Sequence, residues 1–133
     1  MNKPTLQQLT AALHKAWDSE TGYAGVGAWS SDNPARGQCV TSSLVVQDYF
    51  GGDIVRYEVA GEHIDETHYF NILEDGTRLD TTGSQYVLPV TMRPKPVDLA
   101  EHLTLRDKRL SDDETRHKYT LLKSRIENLL GEF

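Results

Sequence analysis

The sequence predicts an α+β fold, with helices near both ends of the chain and a small antiparallel sheet between them. Three observations carry this expectation. Apolar residues recur at helical spacing close to each terminus. The middle of the chain holds β-branched and aromatic runs separated by turn residues. The change from one periodicity to the other falls at a glycine pair, Gly51-Gly52.

A first helix is expected over 5 to 17, because Leu6, Leu9, Leu13 and Ala16/Trp17 form one apolar stripe. Thr5, followed three residues later by Gln8, reads as a capping box. Residues 18 to 37 are rich in Gly, Ser, Asp, Asn and Pro and read as a long loop flanked by Trp17 and Trp29. Trp17 is expected to anchor that loop to the core. Loops of such length inside a compact domain are often functional.

A second helix is expected over 38 to 50, burying Val40, Leu44 and Val45 on one side and turning Gln47 and Asp48 to solvent. "DIVRYEV" (53 to 59), "THYFNIL" (67 to 73) and the short "TRLDTT" read as three antiparallel strands, the last two forming a hairpin. Residues 89 to 99, with Pro89, Pro94 and Pro96, are expected to be irregular. A last helix is expected to start at Ser111 with Glu114 as its capping-box partner. It should bury Tyr119, Leu122, Ile126, Leu129 and Leu130 and end at Gly131.

The 133 residues suffice for a single domain, 1 to 133, with a sizeable core. Twenty acidic against fourteen basic residues give a net charge of -6. That balance argues against a nucleic-acid or acidic-membrane surface, which needs clustered Lys and Arg. The longest apolar run, around Leu44, is too short to span a bilayer. The N-terminus lacks the apolar stretch and cleavage site of a secretory signal, and the single cysteine cannot form an internal disulfide. A cytoplasmic location is the expectation.

That cysteine, Cys39, sits where the long loop turns into the second helix. A lone cysteine on an apolar helix is ordinarily an inert small hydrophobe. At a helix N-terminus, however, unpaired N–H groups and the helix dipole stabilise a thiolate and can serve as an oxyanion hole. A nucleophilic thiol also needs a base, and the base an orienting partner. Of five histidines, His14, His102 and His117 lie among polar neighbours and read as surface residues, and His63 lies in the polar stretch "GEHIDET". His68 opens a strand, a rigid place for an imidazole.

Asp80 follows His68 by twelve residues across the "EDG" turn, so register decides whether the two meet. A two-residue turn at Asp75-Gly76 puts Asn71 opposite Asp80 and turns Asp80 away from His68. A three-residue loop, Glu74-Asp75-Gly76 with Gly76 left-handed, puts Phe70 opposite Asp80. It leaves His68, Phe70, Ile72, Asp80 and Thr82 on one face. The catalytic arrangement requires the second register. Asn71, three residues along the strand from His68, should point to the other side.

"GQC" (37 to 39), "HYFN" (68 to 71) and "LDTT" (79 to 82) resemble the Cys, His and Asp motifs of papain-like, transglutaminase-like cysteine enzymes. Across nearly the whole chain the sequence is similar to the small bacterial YunG-like family, through "NPARGQC", "VVQDYFGG", "HYFN", "DGTRLD", "SQY" and "YTLLKSRIENLL". The resemblance implies a papain-like core with the cysteine helix packed on a small antiparallel sheet. It makes Cys39 the nucleophile, His68 the general base and Asp80 its orienter, with Gln38 as an oxyanion residue; Trp29, on the long loop, is the expected substrate-binding residue. Val40, where transglutaminases carry an aromatic residue, and the short spacing from Cys39 to His68 set the chain apart from them.

The function expected is therefore thiol-dependent processing of an amide, as an amidase or peptidase, a deamidase or a transglutaminase-like enzyme. The substrate would be a peptide, a protein or a small molecule, and no cofactor is implied. The alternative is a papain-like binding module with little or no turnover, presenting an acidic surface and the Trp29 loop. A metal site from Cys39, His63, His68 and Asp80 is the weakest idea, since paired ligands at metal spacing are missing.

Overall fold

The computed structural model describes residues 3–23, 29–95 and 104–131. Among them are four α-helices, α1 (Leu6–Ala16), α2 (Cys39–Phe50), α3 (Leu105–Leu110) and α4 (Asp113–Leu130). Four strands, β1 (Asp53–Gly61), β2 (Ile64–Ile72), β3 (Arg78–Leu79) and β4 (Val90–Pro94), form one antiparallel sheet in the order β3-β2-β1-β4. The α+β class is as expected.

Helix α1 begins with the expected capping box. Thr5 Oγ1 accepts from the Gln8 N–H at 3.1 Å, and Gln8 Oε1 accepts from the Thr5 N–H at 2.8 Å. Its Leu9, Leu13 and Ala16 pack with Trp17 against Val45 and Val46 of α2 and against Leu122 and Ile126 of α4. Trp17 closes the loop onto this core, its indole N–H donating to Ser42 Oγ at 2.8 Å. His14 and His117 are exposed; His102 lies outside the described residues.

Helix α2 differs from the expectation of a single buried side, because every residue from Val40 to Val46 is buried. The helix is covered by α1 and α4 through Val45 and Val46, and by β2 through Val40, Leu44 and Tyr69. Three small polar residues make this possible, since each hydroxyl is matched. Thr41 donates to Thr21 O at 3.2 Å, Ser43 donates to Cys39 O at 2.7 Å, and Ser42 receives the Trp17 indole. Gly51 (φ 69°) and Gly52 (φ 76°) then turn the chain into β1, and a Cβ on Gly52 would collide with the Ile72 carbonyl.

Strands β1 and β2 run longer than expected and meet at a tight turn of Glu62 and His63, with Gly61 opposite Ile64. Their polar ends are exposed, so pairing there needs no apolar pattern. The turn from β2 to β3 is the three-residue loop. Leu73 N–H donates to Thr77 O at 2.8 Å, Gly76 has φ 88°, and Asn71 pairs with Leu79.

Two expectations are corrected. Residues 90–94 are not irregular: they form edge strand β4, paired with β1 from Gly61↔Val90 to Tyr57↔Pro94. Proline is tolerated there because an edge strand has one side without ladder bonds. The expected irregular segment beyond Lys95 runs into residues outside those described.

Ser111 is not the start of the last helix. It ends α3, and Asp112 caps α4 by accepting from the Thr115 N–H at 2.9 Å. Helix α4 buries Leu122 and Ile126 and half-buries Tyr119 and Leu130, but leaves Leu129 47 % exposed. No helix among the described residues is long and apolar enough to cross a membrane.

Candidate active site

The site is assembled where the start of α2 meets the middle of β2. Gly37, at φ 78°, turns the chain so that Gln38 becomes the N-cap and Cys39 the first residue of the helix. No side chain caps α2, so its leading N–H groups keep their donor capacity. Cys39 is half-buried, the thiol of an ordered helix end that still reaches the surface.

His68 is held on β2 opposite Tyr57 and is fully buried. Its Nε2 lies 2.8 Å from Asp80 Oδ2. The three-residue loop at Gly76 makes this contact possible, since it sets Asn71 against Leu79 and brings Asp80 round to the His68 side. Asp80 is held in turn by the Thr82 N–H, which donates to its Oδ1 at 3.3 Å. Phe70 and Tyr86 cover the imidazole, with ring centroids at 5.9 and 5.2 Å, the latter edge-on.

Asn71 does point the other way, its amide donating to Ser43 O on α2 at 3.0 Å. Asp80, not Asn71, is therefore the partner of His68.

With Nε2 engaged by Asp80, the ring also interacts with the Cys39 side chain. Burial by itself pushes the imidazole pKa down, because it disfavours the charged form. The hydrogen bond to Asp80, the contact with the Cys39 side chain and the charges of both outweigh it and raise His68 to about 9. The ring thus carries its charge beside the Asp80 carboxylate and the Cys39 side chain.

A polar brace that the sequence did not reveal lies behind the ring. Gln85 Nε2 is 3.3 Å from His68 Nδ1, and its Oε1 accepts from Arg36 Nη1 at 3.2 Å. A guanidinium only donates, so the Gln85 N–H2 group faces the ring, and it donates to Nδ1 only when His68 is neutral. Arg36 is itself clamped by Glu66 through two hydrogen bonds, at 3.0 and 2.7 Å, and Tyr86 Oη donates to the same carboxylate at 3.3 Å. Burial, then the negative charges of Glu66 and Cys39, push Tyr86 far above the ordinary tyrosine value, so it stays a neutral donor. Arg36 and Gln85 stand in "NPARGQC" and "SQY", but nothing in one sequence ties a loop glutamine to a strand histidine.

Two expected binding residues have other positions. The Gln38 side chain is sealed in the core, accepting from Thr21 Oγ1 at 2.7 Å and donating to Asp18 O at 2.9 Å. It braces the loop before the helix rather than facing an oxyanion. Trp29 is half-buried and does not line the cleft at Cys39. His63 stands on the β1–β2 turn with its side chain 89 % exposed, apart from the other three residues of the metal idea. Among the described residues no three His, Cys, Asp or Glu side chains gather in a metal-holding arrangement.

Beside Cys39 opens a cleft of about 530 Å³, walled by Tyr23, Val40, Glu66, Tyr69, Gln85 and Arg109 among others. It has the size of a small-molecule or peptide subsite.

Comparison with known proteins places the chain in a family. A 92-residue stretch is 28 % identical to the protein YunG of Bacillus subtilis (strain 168), covering 68 % of this chain and 71 % of that protein. No solved structure matches. The family model described as YunG protein matches residues 5–131, which includes Cys39, His68, Asp80 and the Arg36–Gln85 brace, and the chain therefore belongs to the YunG family.

Proposed function

We propose that the protein is a thiol-dependent amide-processing enzyme on a papain-like core, acting through Cys39, His68 and Asp80. One observation carries the proposal: a fully buried imidazole held at 2.8 Å by a carboxylate and interacting with the thiol of Cys39 at an uncapped helix N-terminus. A histidine kept for packing alone needs no charged partner on one side and a thiol on the other.

The Cys39 sulfur attacks the substrate carbonyl carbon, forming an S–C bond as the carbonyl electrons move to oxygen. The Cys39 backbone N–H stabilises that oxyanion. His68 gives its proton to the nitrogen as the C–N bond breaks and the amine leaves. Water or a second amine then attacks the thioester, His68 takes its proton, and the C–S bond breaks to return the thiolate. Asp80 keeps the ring oriented through the cycle and stabilises its charged form, and Gln85 donates to Nδ1 when the ring is neutral.

The test is alkylation of Cys39 by iodoacetamide near neutral pH. Rapid reaction that slows by about tenfold or more in His68→Ala is expected, the range of a positioned acid–base partner being larger still. Slow, equal labelling of both proteins would contradict the proposal and favour a binding module.

A further inference from the structure

We infer that the substrate carries a carboxylate close to its scissile amide, and that Arg109 binds it; this rests on the proposed role of Cys39. Arg109, on α3, lines the same cleft as Cys39. It is half-buried between two rings, its guanidinium carbon 5.8 Å from the centroid of Tyr23 and 5.6 Å from that of Tyr69. These rings hold the planar fork in one orientation.

The hydrogen bonds of Arg109 are incomplete. Its Nη2 makes only long contacts, 3.4 Å to Tyr23 Oη and 3.4 Å to Thr115 Oγ1, and its buried Nε has no partner among the described residues. Other arginines of the chain are matched by carboxylates: Arg36 at 2.7 Å, Arg106 at 2.6 Å and Arg125 at 2.7 Å. Arg109 has no such ion pair among the described residues. Of the neighbouring acids, Asp107 is taken by the capping box of α3 and Asp112 by the cap of α4, where its Oδ2 accepts from Thr115 N–H and Oγ1 at 2.9 Å each.

Asp112 acts on Arg109 through its charge but makes no direct ion pair with it, which leaves donors of the guanidinium open, and a planar carboxylate is the ligand its geometry fits. The other charges of the cleft do not replace that ligand. Glu66 is neutralised by Arg36, and Glu114 is exposed, where water screens it more than it screens Arg109. Amides with an adjacent carboxylate, such as a peptide C-terminus or an N-acyl amino acid, are the class this wall selects.

The test compares iodoacetate with iodoacetamide on Cys39; each forms an S–C bond as iodide leaves, and they differ in charge. Arg109→Gln is expected to lower the iodoacetate-to-iodoacetamide rate ratio by about fivefold or more, and Arg109→Lys by less, as expected for loss of a partly exposed charge pair. The ratio, not either rate alone, is read, because a general change at the thiol alters both reagents alike. An unchanged ratio overturns the Arg109 inference while leaving a fast Cys39 in place. Slow reaction of the unaltered protein with both reagents overturns the catalytic proposal and this inference together. Should Arg109→Gln fail to fold, the unaltered protein decides. N-acetylglycine should protect Cys39 from iodoacetamide where N-acetylglycinamide at equal concentration does not. Equal protection by both, or by neither, overturns the inference.

Discussion

His68 concentrates the electrostatics of the molecule in one ring. Its pKa rises from 6.5 in the unfolded chain to about 9 in the folded protein, so folding favours the protonated form. The sign follows directly: the stabilisation is fully present below pH 6.5 and is lost as pH rises through about 9. Its size is on the order of 3 kcal/mol, as a shift of that extent on a buried group implies. Urea unfolding at pH 6 and pH 9.5 should show the loss in the unaltered protein and a much smaller one in Asp80→Asn. Equal pH dependence in the two would mean that Asp80 does not set the charge of the ring. The brace of Arg36, Glu66 and Gln85 belongs to the same scale, since it fixes the ring from the side Asp80 does not touch.

At the scale of elements, the site depends on one turn. Alternation along a strand means that a shift of one residue moves Asp80 to the opposite face. Deleting Asp75 converts the three-residue loop into a two-residue one, and Cys39 alkylation should then fall to the level of His68→Ala. Alkylation at the unaltered rate in the deletion would show that His68 does not need Asp80. Gly76→Ala is the control. At φ 88°, with nothing within 4 Å of an added Cβ, it should cost about 1 kcal/mol in urea unfolding and keep the register, because the loop length is unchanged.

This turn was legible in the sequence as one of two registers, because "EDG" ends in the residue a left-handed position demands. The capping box at Thr5 and the glycine stop after α2 were legible for similar reasons, as local chemistry within a few residues. Strand β4 was not, because Pro89, Pro94 and Pro96 mark irregular chain unless an edge is available. The break between α3 and α4 was hidden because Ser111 and Asp112 are both good cap residues, and only packing chose between them. The Arg36–Gln85 brace joins positions 49 residues apart and leaves no periodic trace.

At the scale of the whole molecule, α2 is held between α1 and α4 on one side and the sheet on the other, which fixes Cys39 relative to His68. Ile126, fully buried in the α1–α2–α4 core, should lose about 2–5 kcal/mol on truncation to Ala, whereas Leu129→Ala on the exposed side should cost less than about 0.5 kcal/mol. Urea midpoints of the two variants check this directly, and similar losses would mean that α4 packs differently. The proposed function depends on one arrangement within this architecture, in which a thiol, an imidazole and a carboxylate would act as a unit. The most direct measurement of that unit is the NMR titration of the His68 ring in the unaltered protein, in Asp80→Asn and in Cys39→Ser. A pKa of about 9 that falls in both variants is expected, because each removes a contact that holds the proton while burial, which opposes it, remains. A His68 that titrates at or below 6.5 in all three proteins would contradict the triad.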